Sequence, residues 1–295
     1  METEFNETRE TQVLIVGGGP VGLSLACELG LRGIDCTIVE KRDGKLHVPK
    51  MSLVSAGGME FCRRWGIADA VRTAVWSEHH ALDFVYMETL GGSELTRIKI
   101  PSYAQSRPDW TPEGMCQCPQ IFFDPILAGR VAKLDRVTTL YDTSVDSFVA
   151  GADGVTAEIS HVETGERSRI RATYLVGCDG ANSSVREALA IPLEGEGGIA
   201  NSVNIFFRSP QLEKLHAKGW ARIYRPIDEE GCWAELIPID GKALWRLTVF
   251  DDPRYESDPR AALKRMAGFE VPCEIISTLL GERRDAVAAR YGEGR

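Results

Sequence analysis

Apolar positions along this chain fall into two rhythms. Val13-Leu-Ile-Val16 is an unbroken apolar run that ends in Gly17-Gly-Gly19-Pro20-Val21-Gly22. From there Leu23, Ala26, Cys27, Leu29 and Gly30 recur at helical spacing until Gly33 stops the pattern. A short continuous run predicts a strand buried on both faces, and the 3.6-residue period predicts a helix packed on it. Thr37-Ile-Val-Glu40 predicts a second buried strand ending in an acid, and Gly57–Trp65 a second helix ending at Gly66. Beyond residue 80 the period shifts to two. Leu82–Met87 and Glu94–Ile100 alternate around Gly91-Gly92, and Ser144–Ala150 and Val155–Ser160 around Gly151-Ala-Asp-Gly154, so each pair predicts a hairpin.

The stretch between the first two hairpins, 102–119, reads as loop punctuated by Pro108, Pro112 and Pro119. A helix is predicted over Phe123–Leu134, with Asp124 as N-cap and Pro125 in its first turn. Arg169–Val176 predicts a buried strand running into Gly177-Cys-Asp179-Gly180. After Pro192, strands are predicted over Asn201–Phe207, Trp220–Tyr224, Trp233–Ile239 and Leu244–Phe250, then helices over Pro259–Gly268 and Cys273–Leu280. The expected fold is α/β locally and α+β overall. A Rossmann-like domain carries a β-meander insertion and is followed by a mostly antiparallel sheet.

The glycine run gives the first strand–helix junction its chemistry. Gly17 permits a tight turn, Gly19 lacks the Cβ that would hold phosphates off the backbone, and Gly22 lets the helix pack close to the strand. The helix start offers free N–H groups and partial positive charge to an anion. Glu40, at the end of the second strand, is placed to accept hydrogen bonds from a ribose hydroxyl. A 2′-phosphate there would meet a like charge. At about 4 Å and an effective dielectric of about 20 the repulsion is about 4 kcal/mol, roughly a thousandfold in affinity. FAD or NAD(H) is therefore expected, and NADP(H) is not. Gly195-Glu-Gly-Gly-Ile-Ala200 also fits a G-x-G-x-x-A pattern, but a strand follows it, so it reads as a turn.

Composition narrows the class further. The 295 residues are 43% hydrophobic and 26% charged, as in ordinary globular proteins. A net charge of −9 disfavours nucleic acid and anionic membranes. Val13–Cys27 is too short and glycine-rich to span a membrane, and the polar, acidic Met1–Glu10 is no signal peptide, so a cytoplasmic location is expected. The eight cysteines and five histidines are scattered. Cys116-Gln-Cys118 has the wrong spacing for a redox or zinc motif, and no metal is expected.

Asp179-Gly180-Ala-Asn-Ser183-Ser-Val-Arg186 is a second motif, after a strand and opening a helix. With the glycine motif, and with Pro119-Gln-Ile-Phe-Phe-Asp-Pro125 between them, the chain resembles the single-component FAD-dependent aromatic and phenolic monooxygenases, the p-hydroxybenzoate hydroxylase fold. The resemblance implies an enzyme that uses NADPH or NADH and O2 to hydroxylate a small aromatic or phenolic substrate through a flavin C4a-hydroperoxide. It places Gly17, Gly19, Pro20, Val21 and Gly22 on the pyrophosphate and Glu40 on the adenosine ribose, with Lys41 and Arg42 nearby. Gln120 is implied at the ribityl and pyrophosphate region, Asp179 and Gly180 at the cofactor, and Ser183 and Arg186 as braces of that turn.

On the residues alone, Asp179 equally fits a helix cap, Arg186 a surface ion pair and Arg42 a solvated charge. Lys50, after Pro49, stands where many relatives carry an Arg and keeps the charge without the bidentate fork. Residues 1–80 and 112–192 are expected to form the FAD-binding domain, and 81–111 with 193–295 the substrate domain. Tyr224, Trp233, Glu235 and Trp245 are candidates to line the substrate, with alternation placing Trp233, Glu235 and Ile237 on one face. The family's third motif, a Gly-Asp before a helix, is not found before Arg295, so the chain reads as the N-terminal part of such an enzyme. Two alternatives stand beside this reading: another flavoprotein on the same fold, such as a halogenase or reductase, and a non-catalytic FAD-binding fragment.

Overall fold

The structure, a computed structural model, describes residues 7–46, 48, 50, 52–105 and 109–295. Pro49 and Pro108, both part of the sequence reading, lie outside the described residues. The chain runs β1 (Thr8–Val16), α1 (Pro20–Leu31), β2 (Cys36–Val39), β3 (Leu53–Val54), α2 (Ala56–Trp65) and α3 (Ala68–Arg72). It continues with β4 (Phe84–Met87), β5 (Glu94–Ile98), β6 (Cys116–Gln117), α4 (Gln120–Val131), β7 (Val137–Leu140), β8 (Thr143–Ala150), β9 (Val155–His161) and β10 (Arg167–Gly177). Then come α5 (Ser184–Ala188), β11 (Leu193–Arg208), β12 (Ile223–Asp228), β13 (Gly231–Cys232), β14 (Ala234–Pro238), β15 (Leu244–Phe250), α6 (Pro259–Ala267) and β16 (Glu274–Ala288).

Two compact units result. The first comprises 1–47, 123–194 and 287–295, the second 48–122 and 195–286. These groupings differ from the crossings near 80, 112 and 192 drawn from the sequence, for reasons visible in single contacts. The Trp76 indole donates to the Ile239 carbonyl at 2.8 Å, and Arg72 reaches Glu113, so the segment after residue 48 belongs with the later sheet. The Ala289 amide donates to Pro192 and the Leu175 amide to Arg295, which returns the last residues to the first unit.

The first unit is a six-stranded sheet in the order β7-β2-β1-β10-β9-β8. Strands β7, β2, β1 and β10 are parallel, and β9 pairs antiparallel with both β10 and β8. The apolar runs behave as expected: all four residues of β2 and the last four of β1 are buried. Helix α1 has Pro20 in its first turn and buries Gly22, Leu23, Ala26 and Cys27. Leu14, Val16, Val39, Ala157, Ile159, Ile170, Ala172 and Val185 form the core.

The second unit holds a larger, mostly antiparallel sheet in the order β16-β11-β15-β14-β12-β4-β5, with β13 on β12 and β12 parallel to β4. One face packs on α6, whose Ala262, Leu263, Met266 and Ala267 meet Val85, Phe207, Leu236 and Trp245. A two-stranded ribbon joins β3 to β6.

Four local expectations change. The predicted helix over 273–280 is absent and 274–280 form the start of β16: Ile275, Ile276 and Thr278 are β-branched and the segment joins the sheet beside β11. Gly195–Ala200 is not a turn but part of the 16-residue β11. Helix α4 starts at Gln120, so Pro125 lies inside it and Asp124 is not its N-cap. The end of β10 is not fully buried, since Tyr174 is half exposed.

Candidate functional site

Parallel strands β2, β1 and β10 deliver their carboxyl ends to one edge of the first sheet, and the two sequence motifs meet there. The Gly17 amide donates to Val39 at 2.8 Å and the Cys178 amide to Val16 at 2.7 Å. Gly17 has a φ of 109°, and a Cβ on it would fall 2.5 Å from the Cys178 carbonyl. A Cβ on Gly22 would fall 1.9 Å from the Gly17 carbonyl. Two of the motif glycines are thus demanded by protein backbone. Gly19 differs: it caps α1 without a side-chain bond, its φ of −75° suits any residue, and a Cβ there would meet nothing within 4 Å. Val21 on the first turn of α1 is exposed.

Glu40 closes one side of this loop. Its carboxylate accepts the Gly18 amide at 2.6 Å and the Arg42 amide at 3.0 Å. Gly18 was missed from the sequence. A Cβ there would stand 2.8 Å from the Glu40 Cβ, so the middle glycine of the Gly-Gly-Gly run is what admits the acid. The Lys41 and Arg42 side chains are exposed.

Asp179 begins the turn beside the loop, its Cα 2.9 Å from where a Gly17 Cβ would sit. Its carboxylate accepts from the Ser183 hydroxyl, the Ser184 hydroxyl at 2.9 Å and the Val185 amide at 3.2 Å. Ser183 in turn caps α5 by accepting the Arg186 amide at 3.0 Å. Arg186 Nη1 donates to the Ile191 carbonyl and Nη2 to Glu187. Gly180 turns the chain at a φ of 86°. The N-cap of α5 is thus Ser183 and not Asp179, although Asp179 accepts the Val185 amide of the first turn.

Burial works against the Asp179 carboxylate, but the bonds from Ser183, Val185 and Ser184 outweigh it and hold the group below the ordinary aspartate range. An acid with a lowered folded pKa stabilises the fold above its unfolded pKa of about 3.9, and that contribution is lost as pH falls through the folded value. Asp179→Asn is therefore expected to melt below the wild type at pH 7, with a smaller gap at pH 3. Thermal unfolding at the two pH values measures it, and an equal gap at both would contradict the assignment.

The remaining candidates belong to the second unit. Gln120 is buried at the first residue of α4, and Lys50 is exposed. Tyr224 and Trp245 do not line an accessible face: both are fully buried in the core under α6. The Tyr224 hydroxyl donates to Gly219 and accepts the Ala221 amide, and the Trp245 indole donates to Ser209. Trp233 precedes β14 and packs toward that same core, beneath the Arg265 guanidinium. It does not share a face with Glu235, because the alternation starts only at Ala234. Glu235 lies across the sheet from that core, 3.5 Å from Arg225. Among the described residues no group of three or more His, Cys, Asp or Glu could hold a metal, and no helix is long and apolar enough to cross a membrane.

This pairing of a glycine loop with an Asp-Gly turn at one sheet edge is matched by a known family. The family model for the FAD binding domain covers residues 10–267. The chain belongs to the FAD-binding domain family. Its fold is that of the p-hydroxybenzoate-hydroxylase-like flavin monooxygenases, with a Rossmann-like sheet and a separate, mostly antiparallel one. It is 30% identical over 304 residues to the tetracenomycin A2 monooxygenase-dioxygenase of Streptomyces glaucescens, covering 93% of this chain and 51% of that protein. It is 32% identical to the 2,4-dichlorophenol 6-monooxygenase of Cupriavidus pinatubonensis, covering 98% of this chain and 50% of that one.

Among solved structures of the family, the rebeccamycin biosynthetic enzyme RebC with reduced flavin superposes at a TM-score of 0.91 and 35% identity, covering 98% of this chain and 55% of RebC. The flavin-dependent monooxygenase PieE, in complex with FAD and substrate, gives 0.86 and 28% identity, covering 99% of this chain and 52% of PieE. The chain spans about half the length of the curated relatives it matches.

Proposed function

We propose that this chain is the FAD-holding part of a monooxygenase that uses NAD(P)H and O2 to hydroxylate a small aromatic or phenolic compound. The observation that carries the reading is the open cradle at Gly19. Its neighbours Gly17 and Gly22 are packed against backbone, yet among the described residues nothing lies within 4 Å of a Cβ placed on Gly19. That space lies at the carboxyl edge of β2, β1 and β10, where strand order reverses and open α/β sheets bind their ligands. The residues fit a dinucleotide. The first-turn amides of α1 face an opening without a competing side-chain cap, and an anion there gains from the helix dipole.

In this reading Glu40 keeps acceptor capacity after its two backbone bonds, since a carboxylate offers about four lone-pair sites, and ribose hydroxyls donate to what remains. Lys41 and Arg42 add positive charge at the rim. Asp179 is committed to Ser183, Ser184 and Val185, so it shapes the surface beside the cofactor and does not carry protons. When bound, FAD would supply the redox and oxygen-transfer chemistry that side chains lack. The named relatives, a tetracenomycin A2 monooxygenase-dioxygenase and a 2,4-dichlorophenol 6-monooxygenase, support an aromatic substrate.

Titration of the chain with FAD is expected to give saturable quenching of flavin fluorescence. NADPH oxidation by the loaded protein is expected to rise with added phenol, with a hydroxylated product formed. Binding without phenol-dependent product would reduce the proposal to an FAD-binding module, and absence of saturable binding would end it.

A further inference from the structure

Beyond the acid at Glu40, the carboxyl edge of the first sheet carries one more parallel strand. The order β7-β2-β1 puts β7 beside β2, on the side away from the glycine loop. Val39 pairs with Leu140, so Tyr141 leaves β7 at the level where Glu40 leaves β2. Neighbouring strands lie about 4.8 Å apart. Steps of that size lead along the edge from the loop after β1, to Glu40 after β2, to Tyr141 after β7.

The chain around Tyr141 is laced to the segment that holds Glu40. The Glu40 amide donates to the Leu140 carbonyl at 2.9 Å, the Thr143 amide to the Glu40 carbonyl at 3.0 Å and the Asp142 amide to the Arg42 carbonyl at 3.0 Å. The Thr143 hydroxyl donates to the Tyr141 carbonyl at 2.8 Å. Asp142 turns the chain at a φ of 51°, a left-handed conformation that aspartate adopts more readily than most residues. The Tyr141 ring packs on Gly44, in the loop after Glu40. Gly44 has a φ of 77°, and a Cβ there would fall 2.3 Å from Tyr141 Cε1, so the missing side chain is what admits the ring.

The ring is fixed but not sealed, since Tyr141 remains 36% exposed. Burial, and then the Glu40 carboxylate, hold its hydroxyl above the ordinary tyrosine range, so the ring stays neutral at physiological pH. The charged side chains of the loop, Lys41, Arg42, Asp43 and Lys45, are exposed, which leaves apolar contact at this place to the ring.

We propose that Tyr141 is the platform on which the adenine of the bound dinucleotide stacks. This role presupposes the diphosphate and ribose sites read at Gly19 and Glu40, and adds the base to them. A nucleotide carries its diphosphate on C5′ and its base on C1′, at opposite sides of the ribose. With the diphosphate on the β1 side of Glu40, the base falls on the β7 side. Aromatic side chains bind bases there through their π-faces.

Calorimetric titration of the full chain with ADP and with FAD tests the platform in the wild type, Tyr141→Phe and Tyr141→Leu. Tyr141→Phe keeps the ring and is expected to bind both nucleotides within about twofold of wild type. Tyr141→Leu still fills the space on Gly44 but offers no π-face. It is expected to weaken ADP and FAD by the same factor, about tenfold, within the range that base stacking on a protein ring supplies. A ring that serves only to pack on Gly44 would instead give a lower melting temperature in Tyr141→Leu with ADP affinity retained. The proposal is overturned if Tyr141→Leu binds ADP within about threefold of wild type, or if Tyr141→Phe loses as much as Tyr141→Leu. ADP binding that depends on the ring, in a chain that takes up no FAD, would uphold the platform and remove the flavin reading. Absence of saturable binding of either nucleotide by the wild type would remove both.

Discussion

Gly19→Asp is expected to abolish FAD binding while leaving the protein folded. A side chain at residue 19 enters open space, and the backbone there is ordinary for an L-residue. Asp is also among the best N-cap residues, so helix α1 is expected to keep or slightly gain stability, by a few tenths of a kcal/mol. The same carboxylate would stand where the proposed diphosphate sits. Two like charges about 4 Å apart at an effective dielectric of about 20 repel by about 4 kcal/mol, roughly a thousandfold in affinity. Flavin fluorescence titration reads the binding and thermal unfolding reads the fold. An FAD affinity within about threefold of wild type, in a protein with an unchanged melting point, would remove the cradle from the functional reading.

Gly22→Ala is expected to do the opposite and act on the fold itself. A methyl group at this position lands 1.9 Å from the Gly17 carbonyl oxygen, and that oxygen belongs to a backbone held by the bond between the Gly17 amide and Val39. No flexible side chain can yield, so either α1 lifts from β1 or the loop deforms. Overpacking of this kind costs about 1–3 kcal/mol or more, against a total stability of about 5–15 kcal/mol for a typical domain. Gly57→Ala in α2 is the control. A Cβ there meets nothing within 4 Å, and replacing a helical glycine is expected to stabilise by about 0.5–1 kcal/mol. Denaturant unfolding of the three proteins should rank them Gly57→Ala, wild type, Gly22→Ala. Wild-type stability in Gly22→Ala would show that the close packing of the loop on the helix is not required.

The legible part of the molecule is the part written in short range. The glycine turn, the acid at Glu40, the Asp179-Gly180 turn before α5 and the hairpins β4–β5 and β8–β9 each depend on neighbours a few residues apart. Their signals, a missing Cβ, a capping hydroxyl or a Gly-rich reversal, sit in the residues themselves. What stayed illegible depends on distant partners. Residues 273–280 carry apolar positions that suit a helix or a strand, and only the neighbouring β11 decides for a strand. Alternation sorts β12, β14 and β15 into two faces without saying which one α6 covers. Tyr224 and Trp245 consequently read as candidates for an accessible surface although both are interior.

Asp179 shows the same division within one residue. Its motif announces a turn after a strand, but whether the carboxylate serves helix or cofactor depended on where Ser183, Ser184 and the Val185 amide would stand. By itself, then, the chain determined its family, the glycine turn and the acid beside it, because backbone sterics and charge act over a few bonds. Tertiary structure alone decided which segments share a unit and which aromatic rings are interior. Those outcomes rest on pairings between residues tens to hundreds of positions apart, such as Trp76 with Ile239, and no local pattern encodes the partner.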